Sequence, residues 1–170
     1  MTLSRRLFLG GLSCGAALPG VATASNRLPH PQGEVLLTVL GAISAENAEN
    51  RVVFDRAMLE ALDWVEIETH TSFTDGLQSF AGPTLASVLD AVGADGNVLQ
   101  ATAVNDYTVE IPVAHARAHD VVLAMDMNGV PMRVRDKGPI WVVYPLSRTD
   151  AEKRPFDDQM IWQLVQIRVE

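Results

Sequence analysis

An α+β domain with a mixed, strand-rich core is what this chain predicts, and three observations carry that expectation. Strand-like segments outnumber helical ones. Asn128-Gly129 between apolar runs marks a two-residue hairpin, so at least part of the sheet is antiparallel. Neither a regular alternation of strands with helices nor an internal repeat is visible, which argues against a doubly wound parallel sheet.

The first residues read as an export signal. Ser4-Arg5-Arg6-Leu7-Phe8-Leu9 leads into an apolar, glycine-rich run to Leu18 and then Val21-Ala22-Thr23-Ala24, giving a charged start, an apolar middle and a small-x-small end. Paired arginines followed by Phe8 and Leu9 match the twin-arginine pattern, with an ordinary secretory signal as the alternative. The run is too short and too rich in glycine to anchor in a bilayer, which takes roughly 20 apolar residues. Cleavage is expected before Ser25 and the periplasm is the expected destination. Gly11 stands where a lipoprotein signal needs a large aliphatic residue, so Cys14 is not expected to carry lipid.

The expected organisation is a signal over 1–24, a flexible lead-in over 25–33 and one domain over 34–170. The net charge of −8 becomes −10 without Arg5 and Arg6. So acidic a chain is a poor partner for nucleic acid or an anionic membrane, both of which are bound through Lys and Arg. The single cysteine, Cys14, leaves with the signal, and with it any disulfide, thiol nucleophile or thiolate metal ligand.

Within the domain, Glu34–Leu40 alternates as a strand with Val35, Leu37 and Val39 on one face. Arg51–Phe54 is a short β-branched run, and Asp55 can cap a helix reaching Leu62. Val65–Glu68 is a strand that enters the polar loop Thr69–Gly76. The clearest helix starts after Thr84, with Leu85, Val88, Leu89 and Val92 on one face and Gly93 as its stop. Beyond Gly96 the chain turns to β. Tyr107, Val109 and Ile111 alternate, as do Val121, Leu123, Met125 and Met127. Ile140–Tyr144 is a continuous apolar run of the kind buried on both faces. Trp162–Val169 closes the chain as a strand with Val165, Ile167 and Val169 on one face.

Familiar catalytic motifs are absent beyond the signal: after residue 24 there is no Gly-x-Ser-x-Gly, phosphate-cradling glycine loop or His-Glu-x-x-His. His115 and His119, four apart with Asp120 beside them, could share a metal on a helix, but Pro112 leaves room for about one turn and solvated histidines are the default. Asn105-Asp106-Tyr107 could hydrogen-bond the edge of a planar heterocycle while the ring stacks on it, or could be an Asx turn. Arg133, Arg135 and Lys137 precede Gly138-Pro139. Strand alternation would put the two arginines on one face, either for an anion or as a solvated basic edge.

Phe80-Ala81-Gly82-Pro83-Thr84-Leu85, Asn105-Asp106-Tyr107 with Ile111-Pro112, Asn128-Gly129-Val130-Pro131-Met132, Gly138-Pro139-Ile140 and Trp162-Gln163-Leu164 follow one another as in a known family. In their order and spacing the chain resembles the molybdopterin-binding domain of sulfite oxidase-like proteins, from about residue 34 to the end. The resemblance implies a compact α+β fold around a pterin pocket. It also exposes a departure. The family's enzymes bind molybdenum through a cysteine in the loop after the strand matching Val65–Glu68, where this chain has Thr69-His70-Thr71-Ser72-Phe73. Hydroxyls and an imidazole do not replace a soft thiolate. Nor is there a lysine- and glycine-rich stretch after Pro145 to hold a cofactor phosphate.

The chain is similar to a small, cysteine-free exported branch of the family, described as pterin-binding. Some members of that branch are partners of the periplasmic sensory region of membrane-bound cyclic-di-GMP enzymes. The resemblance thus implies a metal-free pterin and a non-catalytic binding and signalling role. A molybdenum-cofactor oxidoreductase in which His70 or a hydroxyl replaces the thiolate, and a domain serving only protein interaction, are the alternatives. On this reading His70, Thr71, Phe73, Asn105, Asp106, Tyr107, Arg133, Arg135 and Lys137 converge on one site. Phe73 or Tyr107 would stack, Asn105 and Asp106 would read the ring edge, and Arg135 and Lys137 would attract an anionic tail.

Overall fold

The first and last strands of the domain lie side by side. In the computed structural model, which describes residues 28–170, β1 (Val35–Gly41) pairs in parallel with β11 (Leu164–Val169). The expected signal lies outside the described residues. Around this pair the chain builds a five-stranded sheet in the order β2–β1–β11–β5–β6, with β2 (Arg51–Asp55), β5 (Val98–Ala103) and β6 (Thr108–Pro112) joined antiparallel. Alternation puts Leu37 and Val39 of β1, and Leu99, Ala101 and Ala103 of β5, into the core.

A second sheet of four antiparallel strands runs β3 (Trp64–His70), β4 (Leu77–Pro83), β8 (Asp126–Met127) and β9 (Val130–Pro131). Asn128 and Gly129 close β8 onto β9 with φ of 51° and 73°, the left-handed pair that a type I′ hairpin needs. Separately, β7 (Val122–Ala124) pairs with β10 (Trp141–Val143), and the backbone of β7 lies against β4. Ile140–Tyr144 is buried throughout, as its unbroken apolar run predicts.

Two short helices follow strands and are capped as expected. Asp55 accepts from the Met58 N–H at 2.9 Å to start α1 (Arg56–Glu60), and a further turn closes as Leu62 N–H reaches the Leu59 carbonyl. Thr84 caps α2 (Leu85–Val92), which ends on left-handed Gly93 and buries Leu85, Val88, Leu89 and Val92. The last two, α3 (His115–Ala118) and α4 (Arg148–Glu152), are little more than one turn each.

The structure departs from the expected pattern in four places. Val121–Met125 is buried at every position instead of alternating, because β7 is covered on both faces. In β11, Leu164, Ile167 and Val169 point inward while Val165 is half-buried. A register shift between Leu164 and Gln166 adds a residue and resets the alternation. Arg133 and Arg135 do not share a strand face. Val134–Asp136 is a 3-10 turn, closed by Asp136 and Gly138 N–H groups on the Arg133 carbonyl. Finally, the lead-in is tethered over residues 29–33: Asn47 Nδ2 donates to the Pro29 carbonyl, and Asp55 Oδ2 accepts from the N–H groups of Gln32 and Gly33.

Candidate ligand-binding site

Three segments far apart in sequence meet at a cleft of about 490 Å³. The loop after β3 contributes Phe73, the end of β5 and its turn contribute Ala103, Asn105 and Tyr107, and the approach to β11 contributes Asp157, Asp158, Met160, Ile161 and Trp162. Thr71 shapes the first, its Oγ1 accepting from the Phe73 N–H at 3.1 Å and lying 2.8 Å from Thr74 Oγ1. This sets the Phe73 ring edge-on to Trp162 at 5.1 Å and to Trp141 at 6.3 Å. Trp141 is fully buried and donates its indole N–H to the Met160 carbonyl, fixing the third segment from beneath.

Gln163 joins the rim. With φ of 57° it donates its N–H to the Lys137 carbonyl, accepts from the Val104 N–H and sends Nε2 to the Val134 carbonyl. The Lys137 ammonium thereby sits over Trp141 and Trp162, at 5.4 and 6.0 Å from the ring centroids. The result is an aromatic slot with carboxylates on one wall and an ammonium at its border.

Residues 48–148 match the family model described as oxidoreductase molybdopterin binding domain. The chain belongs to this family. Among solved structures it is similar to the sulfane dehydrogenase SoxCD from Paracoccus pantotrophus, with 17% identity and a TM-score of 0.55, over 78% of this chain and 37% of that one. At that identity the likeness shows the fold, the sulfite oxidase-like architecture implied by the order of the motifs, and the chain spans little more than a third of that structure's length. No curated protein matches the chain.

Within this molybdopterin-binding domain the nine sequence-predicted residues divide. Phe73, Asn105 and Tyr107 line the cleft, and Lys137 borders it through Trp162. His70 and Thr71 instead line a second cleft of about 460 Å³ with Ser72, Thr74, Arg148, Glu152 and Arg154, so the 71–74 loop separates two hollows. Asp106 takes φ of 64° at the tip of the turn after β5 and is not part of the lining. Asn105 Oδ1 accepts from the Tyr107 N–H at 3.3 Å, an Asx turn that leaves Asn105 in the cleft and Asp106 outside it. Arg133 pairs with Asp136 at 2.7 Å, Arg135 lies 3.8 Å from the same carboxylate, and neither arginine lines either cleft. The wall from Asp157 to Trp162 escaped the sequence reading. Its acidic pair follows no period, and only the place of Trp162 in the order of motifs hinted at it.

The donor set does not suit a thiolate-bound metal. The described residues hold no cysteine, and no three His, Asp or Glu side chains among them converge as metal ligands. The hydroxyls at the end of β3 and in the loop after it are engaged: Thr69 Oγ1 accepts from the Leu146 N–H at 2.7 Å, Thr71 Oγ1 accepts from Phe73, and Ser72 Oγ donates to Asp157 Oδ2 at 2.8 Å. A pterin ring does suit the slot, since its faces match Phe73, Tyr107 and Trp162 and its N–H edge matches a carboxylate.

His115 and His119 are not a solvated pair. His115 Nδ1 lies 3.0 Å from the Tyr144 hydroxyl, and the two imidazoles meet edge-on at 4.9 Å. Phe156 stacks on Tyr144 at 4.3 Å and touches both histidine rings, anchoring the segment that continues into the cleft wall. Partial burial, then the neighbouring His119, hold the His115 imidazole below its ordinary pKa. The native state therefore favours neutral His115. Its contribution to stability is complete above about pH 6.5 and is lost as pH falls from there through the depressed native value. Asp55, Asp136 and Asp150, all held below the usual carboxylate value by hydrogen bonds, act only in a lower window, below about pH 3.8. Denaturant midpoints are thus expected to drop between pH 7 and pH 5, and His115→Gln to flatten that slope. An unchanged slope in the variant would remove His115 as its source.

Proposed function

We propose that the chain is an exported, non-catalytic pterin-binding protein of the periplasm that signals to the sensory region of a membrane-bound cyclic-di-GMP enzyme. The observation that carries the binding function is the cleft itself: aromatic side chains from three segments around a slot large enough for a bicyclic heterocycle, with no cysteine among the described residues. The twin-arginine motif at Arg5-Arg6 supports export, and the similarity to the cysteine-free branch supports the signalling partner.

If a molybdenum cofactor were bound, it would supply oxygen-atom or electron-transfer chemistry, and His70, at the end of β3 where the family's ligand loop begins, would be the imidazole on offer, although it lines the second cleft. In the cleft the residues do something simpler. Phe73, Tyr107 and Trp162 exclude water from a ring, and Asn105 and Asp157 orient its polar edge. Protein purified from a host able to make molybdenum cofactor is expected to contain no stoichiometric molybdenum by elemental analysis. Mass spectrometry of the acid extract is expected to show a fluorescent pterin. One molybdenum per chain would overturn this function in favour of an oxidoreductase. A metal-free protein with neither bound pterin nor affinity for added pterin would leave a pure interaction domain.

A further inference from the structure

Asp157 is set into the cleft wall differently from its neighbour Asp158. Its side chain keeps only 20% of its exposure, whereas Asp158 is exposed. Ser72 Oγ donates to its Oδ2 at 2.8 Å, and Arg154 Nε stands 3.8 Å from the same oxygen. Ser72 takes one lone pair of Oδ2 and Arg154 stands beside it beyond hydrogen-bond distance, so the carboxylate is fixed while Oδ2 keeps a second acceptor site. Oδ1 has no hydrogen-bond partner among the described residues. A carboxylate so placed accepts hydrogen bonds and donates none.

We infer that Asp157 selects the ligand by its hydrogen-bonding edge, taking heterocycles that present adjacent N–H donors, as the 2-amino-4-oxo pyrimidinone edge of a pterin does. The inference rests on the pterin-binding function and goes further by naming the residue and the chemical class. In a pterin, the 2-amino group and the ring N3–H point the same way and can both reach one carboxylate, an arrangement of the charge-assisted, two-point kind. In the 2,4-dioxo analogue, a carbonyl replaces the amino group and meets the carboxylate acceptor to acceptor. A site built to pair with a donor rejects the analogue that lacks it, because its own polar group is left unpaired. Asp106, the carboxylate that the sequence offers for this task, lies outside the lining. The same wall disfavours a phosphate tail, since Asp157 and Asp158 are the only charged side chains among the described residues that line the cleft.

The test is a fluorescence titration with pterin and with lumazine, the same bicycle carrying an oxo group in place of the 2-amino group. The wild-type chain is expected to bind pterin at least about tenfold more tightly. Asp157→Asn is nearly isosteric, and its amide offers one donor and one acceptor, matching the lumazine edge. It should lose about tenfold for pterin and gain affinity for lumazine, a reversal that mere loosening of the fold would not produce. Asp158→Asn should keep the wild-type preference. Equal wild-type affinity for the two rings, or an Asp157→Asn variant that still prefers pterin, would overturn the inference and leave pterin binding intact. Failure of the wild-type chain to bind either ring would overturn both.

Discussion

Gly82→Ala is expected to prevent stable folding. Gly82 lies in β4, paired with Val65 of β3, and a methyl group there would overlap the Leu123 carbonyl of β7 and crowd the Ala124 Cα. These are backbone atoms, so no side chain can turn aside. The two strands are also fastened on either side of the contact, by Met125 N–H to the Ala81 carbonyl at 2.8 Å and Leu85 N–H to the Val121 carbonyl at 2.8 Å. Separating them strains the core by about 1–3 kcal/mol and leaves buried backbone groups unpaired at roughly 1–3 kcal/mol each. Against a total stability of about 5–15 kcal/mol, that loss is severe. The expected result is little soluble protein, or a denaturant midpoint far below wild type. Gly33→Ala is the control, because a Cβ there meets only Asp55 at ordinary contact distance. A Gly82→Ala protein with the wild-type midpoint would show that the strands are not so tightly apposed.

Trp162→Ala is expected to weaken pterin binding by about tenfold to a hundredfold while changing stability much less. The ring is 39% exposed, so little of the core depends on it, yet it forms one face of the cleft and meets Phe73 edge-on. Stacking of a heterocycle on an aromatic side chain contributes about 1–3 kcal/mol, which corresponds to that range of affinity. Trp162→Phe should recover most of the loss. Asp106→Gly keeps the left-handed turn and should leave affinity unchanged, since Asp106 is not in the lining. Pterin fluorescence titrations compare the three variants. Wild-type affinity in Trp162→Ala would place the ligand elsewhere.

These two residues mark how far local pattern reaches. Gly82 stood in the run Phe80–Leu85 that carried the family resemblance, but nothing in the sequence says that its hydrogen atom faces another strand 41 residues away. Trp162 stood in the closing motif, yet its partners Phe73 and Lys137 come from other segments. Local signals performed better where the interaction is local. Thr84 and Gly93 bound α2, Asp55 caps α1, and Asn128-Gly129 closes β8 onto β9, because each depends on backbone groups within a few residues. Arg133 and Arg135 show the converse. Their alternation looks like a strand, but Asp136 draws Arg133 round into a tight turn.

What the sequence by itself determined is the α+β class, the capped helices, the hairpin, the buried Ile140–Tyr144 run, the family and the absence of a cysteine after residue 14, all properties of composition or of short-range pattern. The tertiary structure alone decided that Phe73, Asn105 and Tyr107 share a cleft while His70 and Thr71 turn to another, and that the acidic wall at Asp157 completes the first. It also decided that His115 joins Tyr144 and Phe156 instead of facing solvent. The physical reason is the same in each case. A cleft is the space left where sheets and loops cannot close on one another, and its chemistry depends on side-chain directions set by long-range strand pairing, β-bulges and single backbone contacts that no local window of sequence contains.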